Sequence, residues 1–423
     1  MKNNSIIDIA IIGGGASGLM CGCIAGQESQ GRLRITIFER NSKSGRKLLA
    51  TGNGRCNLGN TLSSAESYFC DSSIFPDKLK QRLTFEYTKK LFGSLGLMIK
   101  TDSAGRAYPQ SGNASSVIDI LRNSLKKYNI EERVDEKVLS IKKSGGKFII
   151  STSSGEHCAH CVILACGGSA SPVFGSDGCG FALAKAFGHT VIKPYPSLTP
   201  LYVCEDLRSI KGVRCDCEIK LKKSGDVIAC EYGELQINEN NISGICVFNL
   251  SHYVNLAYSK GEKAPEIVID LLPTVNINKL KSFVMKTVFA NGDTALDEVL
   301  TGVMNKKLCG YIIKKAAALS PSVRCSELSK HELIEICNEI KSFKLTAKQN
   351  FDFTKAQVSG GGVNVEEIDL SNMSSKKVSK LYFAGEIVNI DAPCGGFNLQ
   401  WAWASAAVSA KSAVLGCLND KNK

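Results

Sequence analysis

Between residues 13 and 18 the chain reads Gly-Gly-Gly-Ala-Ser-Gly, and no other run constrains the fold as strongly. Ile6-Ile-Asp-Ile-Ala-Ile-Ile12 precedes it, an apolar run of the right length for a buried strand. Small residues from Ala16 to about Gln27 follow and read as a helix, and Arg34-Ile-Thr-Ile-Phe-Glu39 reads as a second strand. Strand, helix and strand in so few residues make the repeating unit of a parallel sheet. Read as G-x-G-x-x-G, Gly13 serves the tight turn, Gly15 lets backbone approach a pyrophosphate, and Gly18 allows close helix–strand packing. The helix start, Ala16 and Ser17, then offers N–H groups to the phosphates; the competing role for Ser17 is packing. Glu39, 21 residues after Gly18, is placed to accept hydrogen bonds from a ribose diol, with Arg40 beside it.

The rest of the chain suits a large α/β protein. Its 423 residues suggest two or three domains, with 43% apolar and 22% charged residues, as in ordinary globular proteins. No apolar run reaches the length of a membrane span, and the first apolar stretch runs into glycines instead of a cleavage pattern, so a cytoplasmic protein is expected. The 18 cysteines sit mostly in apolar contexts, as small buried hydrophobes do in a reducing compartment. Net charge is +12, but Lys and Arg are dispersed without a basic block. That reads as a solvated surface with some anion steering and argues against a nucleic-acid partner.

Loop-like Gly, Arg and Asn cover about residues 41–60, with helical patterns near 77–95 and 113–127. Lys147-Phe-Ile-Ile-Ser and Cys161-Val-Ile-Leu-Ala read as later strands, and a helix ends at Gly188, which leaves His189 a packing or capping residue. The character changes at Pro194-Tyr-Pro196. Residues 201–270 look β-rich, with one buried face in Cys215-Asp-Cys-Glu-Ile-Lys-Leu221, and 278–343 look helical. Thr294-Ala-Leu-Asp297 and Ser329-Lys-His-Glu332 have capping-box spacing. Near 350 the glycine-rich style returns, with a strand at Lys380–Ala384 and a helix at Asn398–Leu418. The expected division is 1–193, 194–275, 276–346 and 347–423, the first and last forming one discontinuous nucleotide-binding domain.

The C-terminal return selects FAD over a nicotinamide alone. Phe383-Ala-Gly385-Glu386 ends a strand, and Asp391-Ala-Pro-Cys-Gly395-Gly396-Phe397-Asn398 opens a long helix. Such a helix can aim its N-terminus at the pyrimidine edge of a flavin and stabilise charge on the reduced ring. Glu386 is placed for a ribityl hydroxyl. Cys166-Gly167-Gly168 is a second glycine turn that can pass close to the dinucleotide. Arg46 and Lys47 are candidates for the phosphate or adenosine region. Thr51, Gly52, Asn53, Gly54, Arg55, Cys56 and Asn57 form a tight segment expected against the flavin. Arg55 suits an anionic reduced flavin or a substrate carbonyl, with a structural ion pair as its alternative. Val138 joins the cofactor set. Cys56 and Cys394 as a redox pair cannot be assigned from sequence. Cys158-Ala-His-Cys161 lacks a second pair at zinc spacing, so no metal is expected.

On these residues the chain resembles the YhiN/BaiN-type FAD-binding oxidoreductases of the two-dinucleotide-binding-domain flavoproteins. The resemblance runs through Gly13–Gly18, Gly45–Asn57, Arg106-Ala-Tyr-Pro-Gln-Ser111, Gly167–Gly180 with Gly188-His189, Pro196–Pro200, Ser359–Val363 and Phe383–Trp403. It implies an α/β fold: a discontinuous Rossmann-like FAD-binding domain with an inserted β-barrel-like part and a helical part. It also implies FAD held tightly; no second G-x-G-x-x-G is evident, so either NADPH or NADH binds transiently near the flavin as reductant or another electron donor serves. The expected reaction moves hydride through the flavin to an unsaturated or carbonyl-bearing small molecule, bile-acid- or steroid-like substrates being one class. Arg55, Tyr108 and Cys394 are the candidate catalytic groups. The chain departs from the pattern at Asn238–Gly244, where Thr-His-x-Gly is common, at Asn389 in place of Asp, and at Phe397 in place of Tyr, which removes a phenolic proton donor. The alternatives are a flavin-dependent RNA-modifying enzyme and a non-catalytic flavin redox sensor. The oligomeric state is not legible.

Overall fold

Strand β1 (Ile7–Ile12) is buried along its whole length and leads through the glycine turn into α1 (Ala16–Ser29) and back as β2 (Ile35–Phe38). The computed structural model describes residues 6–70 and 75–421. A short helix, α2 (Arg46–Ala50), interrupts the stretch expected to be loop. The helical pattern near 77–95 is two helices, Asp77–Arg82 and Phe85–Ser94, because Thr84 turns extended and its hydroxyl accepts from Tyr87 N. After α3 (Ala114–Lys127) come β3 (Glu131–Arg133) and an antiparallel meander of β4 (Val138–Ser144), β5 (Lys147–Thr152) and β6 (Gly155–Leu164). Following α4 (Cys179–Ala186) and a long excursion, the chain re-enters this body as β7 (Val358–Val363), β8 (Leu381–Phe383) and α5 (Phe397–Lys421).

The parallel strands lie in the order β8-β6-β1-β2-β3. Strands from both ends of the sequence thus share one sheet, on either side of β6. β6 serves three partners: Gly155–Ala159 pair antiparallel with β5, and its second half pairs in parallel with β1 and β8. Strand periodicity sorts the core into two layers. Ile9 and Ile11 join one, with α1, α3 and most of α5, while Ala10 and Ile12 join the other. Each fully buried aliphatic chain contributes about 1.5–3 kcal/mol. Helix α5 reaches both layers: Trp403 donates to Leu58 O (3.0 Å) and Trp401 to Gly385 O (3.0 Å), so both indoles are buried with their N–H groups satisfied.

This body comprises Met1–Pro196 and Phe353–Lys423; Ser197–Asp352 form a second compact unit. Its six-stranded antiparallel sheet is dominated by the hairpin of Arg214–Lys223 and Asp226–Ile237. Cys217, Ile219 and Leu221 are buried on one face, following the alternation in the sequence. One region departs from expectation: Ile245–Ser259, inside the stretch expected to be β-rich, is a helix. It buries residues on most of its circumference, so it lacks the polar stripe that marks a surface helix. Helices Ile277–Ala290, Lys306–Ala317 and Lys330–Lys341 share one apolar core with the sheet. Ser329 and Glu332 form a reciprocal capping box. Thr294 does not cap: Ala295 takes that position, because Leu296 N donates to Val323 O and Cys325 N to Thr294 O, fixing the strand-like entry.

Candidate functional site

The carboxyl ends of the parallel strands carry the glycines and acids singled out in the sequence. β1 runs into Gly13, β2 into Glu39, β6 into Cys166–Gly168, and β8 into Gly385–Glu386. Ligands of open α/β sheets bind at this edge. Gly13 holds φ +109°, and a Cβ on Gly18 would overlap the Gly13 carbonyl oxygen, so this turn admits no side chain at either position. Gly15 differs. A Cβ there would meet nothing within 4 Å, and as N-cap of α1 it brings no side-chain hydrogen bond to the helix start. No side chain thus caps the start of α1, and the space beside Gly15 is open, which suits a phosphate bound by the first N–H groups of the helix.

Glu39 is buried and already oriented. Its Oε2 accepts from Gly14 N (2.8 Å), and its Oε1 accepts from Asn41 N (2.8 Å) and Nδ2 (2.7 Å). Asn41 also donates to Phe174 O (3.2 Å) and accepts from Arg46 Nη1 (3.1 Å). Arg40 pairs with Asp177, and that bond raises the Arg40 pKa; burial would raise the Asp177 carboxyl, but the bonds from Arg40 and Cys179 together with the Arg40 charge hold it below its ordinary range. Across from β2, Glu39 N donates to Arg133 O (2.8 Å) and Glu136 N to Glu39 O (2.9 Å), which fixes the approach to Val138 at the start of β4. Burial would raise Glu136, but bonds from Thr152 (2.6 Å) and His157 (2.7 Å) outweigh it and keep the carboxyl low. The sequence reading missed Ser44. Its Oγ is buried without a partner, 2.5 Å from where a Cβ on Gly14 would sit. A lone serine in a polar loop gives no signal of such placement.

A second cluster joins α2 to the C-terminal return. Lys47 Nζ lies 3.0 Å from Glu386 Oε2, and Glu386 Oε1 accepts from Ser359 N (2.8 Å). Ser359 Oγ accepts from Ser169 N (2.7 Å) and Ala170 N (2.8 Å), which closes the turn after Gly167 and Gly168. A Cβ on Gly385 would lie 2.6 Å from Ser17 Oγ, so Ser17 packs against the return.

The segment Thr51–Asn57 is tight: Gly52, Asn53, Gly54 and Cys56 all have positive φ, and Cys56 N donates to Thr51 O (3.0 Å). Thr51 Oγ1 itself donates to Leu48 O (2.7 Å). Burial pushes the Cys56 thiol up to about 12, which leaves it protonated. Cys394 is half-buried and neither thiol is in a disulfide. Exposed Arg55 lies over the buried Tyr108 ring at 4.5 Å, so two of the three candidate catalytic groups meet. At the start of α5, a Cβ on Gly396 would collide with Gly59 O, and Asn57 Oδ1 beside it is buried without a partner. Asn60 Nδ2 donates to Gly395 O (3.0 Å). Asn398 accepts from Ala392 N (3.0 Å) and donates to Ala392 O (2.7 Å), fixing the turn that carries Cys394. Asp391 is buried in a short pairing with Phe69, and Phe397 packs on the apolar layer. Cys158 is exposed and Cys161 buried, and no group of three or more His, Cys, Asp or Glu gathers for a metal among the described residues.

The bare start of α1 and the two orphaned buried oxygens, Ser44 Oγ and Asn57 Oδ1, fit an extended polar ligand along this edge. Such an edge defines a Rossmann-type dinucleotide-binding protein assembled from both ends of its chain. Residues 7–412 match the HI0933-like protein Rossmann domain, and the chain belongs to that family, the YhiN/BaiN-type flavoprotein oxidoreductases. It is 34% identical over 407 residues to a 3-dehydro-bile acid delta(4,6)-reductase of Clostridium scindens, covering 96% of this chain and 98% of that one. It is 26% identical over 416 residues to a ribosomal RNA dihydrouridine synthase of Escherichia coli, again covering 96% and 98%. Among solved structures it is similar to a flavocytochrome c3 fumarate reductase in an open conformation, at 14% identity and a TM-score of 0.49, covering 99% of this chain and 79% of that one.

Proposed function

We propose that this protein is an FAD-dependent reductase that draws hydride from NADPH or NADH and delivers it to a carbon–carbon double bond conjugated with a carbonyl, in a bile-acid- or steroid-like small molecule. The observation that carries this reading is the near-full-length similarity to the bile-acid reductase. FAD supplies the two-electron chemistry between nicotinamide and substrate. The chain's own work is binding and orientation. The amides that open α1 take the pyrophosphate, with Gly13, Gly15 and Gly18 allowing the approach. Glu39, prealigned by Gly14 and Asn41, takes the ribose diol, while Arg40, Arg46 and Val138 flank the adenosine. Lys47, Gly167, Gly168, Gly385 and Glu386 line the middle, and Gly395–Asn398 with Thr51–Asn57 close the far end. Arg55 orients the substrate carbonyl, and Tyr108 or Cys394 supplies the proton.

The test is an anaerobic absorbance spectrum of the purified protein before and after NADPH or NADH, followed by addition of a steroid enone. Rapid bleaching and recovery on the enone support the reading. A flavin that stays oxidised with both nicotinamides overturns the donor, and absence of flavin after FAD is added back overturns the whole.

A second reading is reduction of uridine in ribosomal RNA, favoured by the relatives named for that activity in Escherichia coli and Haemophilus influenzae. Uridine also carries a double bond conjugated with a carbonyl, so the same cradle serves either acceptor. Mass spectrometry of rRNA fragments incubated with enzyme and reductant separates the two, dihydrouridine being the product of the second alone.

A further inference from the structure

The core of the first unit contains a feature that the proposed reaction does not use. Cys161, midway along β6, and Cys417, near the end of α5, place their sulfur atoms 3.0 Å apart. Both are buried, at 0% and 3% exposure. Cys417 donates to Asp8 O (3.3 Å), which aligns its thiol beside β1 and β6 together. Cys161 is opposite Ile9 in the parallel register, toward the strand ends remote from the glycine turn. The pair therefore stands apart from the cofactor cradle, in the layer where Ala410 and Ala413 of α5 pack.

We propose that Cys161 and Cys417 are a site of reversible oxidation, in which a hydroperoxide converts the two thiols to a disulfide that ties the C-terminal helix to the central strand. One sulfur, as thiolate, attacks the peroxide O–O bond and becomes a sulfenic acid, releasing hydroxide that takes up the proton as water. The second thiol attacks that sulfur, closing the S–S bond and releasing a second water. Two thiols and one hydrogen peroxide thus give one disulfide and two waters, the sulfur pair losing two electrons. The sulfurs must close from 3.0 Å to about 2.05 Å, a shift within the reach of χ1 adjustment on a helix end. Access comes through α5, whose last turns open more readily than the sheet, as helix ends do. The Cys161 contact and burial push the Cys417 thiol up, so the linkage forms slowly near neutral pH and faster as pH rises.

The test uses the full chain with FAD, treated with hydrogen peroxide under native conditions, then denatured, alkylated and digested for mass spectrometry. The expected product is one cross-linked species joining the peptides of Cys161 and Cys417, lighter by two hydrogens than their sum and lost on reduction. The oxidised protein melts at a higher temperature, and dithiothreitol reverses the rise. Cys417→Ser abolishes both the cross-link and the reversible rise. If that variant does not fold, the wild-type peptide map decides alone. Alkylation of both residues after exposed Cys158, Cys204 and Cys230 have been oxidised overturns the proposal, as does a cross-link from either residue to another cysteine.

Discussion

Gly15 and Gly18 belong to one motif and do different things. At Gly18 an added methyl collides with backbone, so Gly18→Ala should cost about 1–3 kcal/mol, read in a urea titration of the cofactor-depleted protein. At Gly15 the same methyl meets nothing, so Gly15→Ala should leave that titration within about 0.5 kcal/mol of wild type. It should still weaken FAD binding about tenfold by intruding on the phosphate seat, read by flavin fluorescence quenching. Equal FAD affinity in Gly15→Ala and wild type would place the pyrophosphate elsewhere. The pair of Arg55 and Tyr108 allows a similar separation. An exposed cation–π contact is worth about 0.5–1 kcal/mol, so Arg55→Ala should barely move the melting temperature. Tyr108→Phe keeps the ring beneath Arg55 and removes only the hydroxyl. If Tyr108 is the proton donor, reoxidation of the flavin by substrate slows about a hundredfold while its reduction by nicotinamide is unchanged. Unaltered reoxidation leaves Cys394 as the remaining candidate. Ser44 shows the limit of reading single residues: nothing in Asn41-Ser-Lys-Ser44 announces a buried, unpartnered hydroxyl beside Gly14, because the placement depends on how α2 returns to the turn.

Elements were legible where pattern and packing agree. β1, the glycine turn, α1 and β2 follow from an apolar run, three glycines and a small-residue helix, and the alternating hairpin strand at Arg214–Lys223 follows from period two. The helix Ile245–Ser259 was not legible, since burial on most sides erases the 3.6-residue stripe. Capping spacing proved a partial guide. Ser329→Ala should destabilise the second unit by about 1 kcal/mol, and Thr294→Ala, whose residue does not cap, should be near neutral; calorimetry of the two variants checks this. The edge strands Ile368–Asp369 and Ser374–Ser375 hang on a titratable cluster. His189 bonds Ser375 (2.8 Å) and lies 3.3 Å from Glu367, which also takes bonds from Thr190 and Lys377. Burial lowers the His189 pKa below 6.5, so the unfolded chain binds a proton that the folded chain refuses. That contribution is fully present above pH 6.5 and falls away as the medium acidifies. Burial of Glu367 is outweighed by Lys377 and Thr190, leaving it at about 2, so its contribution holds above 4.5 and is lost as pH drops toward 2. Melting temperature should therefore fall in two stages on acidification, with His189→Gln flattening the first and Glu367→Gln the second.

At the scale of the molecule, charge is unevenly divided. The cofactor unit carries 32 Lys and Arg against 21 Asp and Glu, whereas Ser197–Asp352 carry 20 against 19. The net charge alone gave no hint of this division, because the boundaries of the units had to be known first. If RNA is the acceptor, its affinity should fall steeply between 50 and 200 mM salt, roughly a thousandfold or more for six contacted phosphates, and filter binding across that range is the measurement. A steroid enone should show little such dependence. The sheet order β8-β6-β1-β2-β3 has a consequence for how the protein is made. Glu39 leaves the ribosome long before Gly395 does; at about 5–20 residues per second the interval is roughly 20–70 s. Until Leu381–Phe383 emerge, β6 has no β8 beside it, and the nascent chain holds only half of the proposed flavin seat. With the flavin seated as proposed, loading thus waits on β8 and the opening turn of α5.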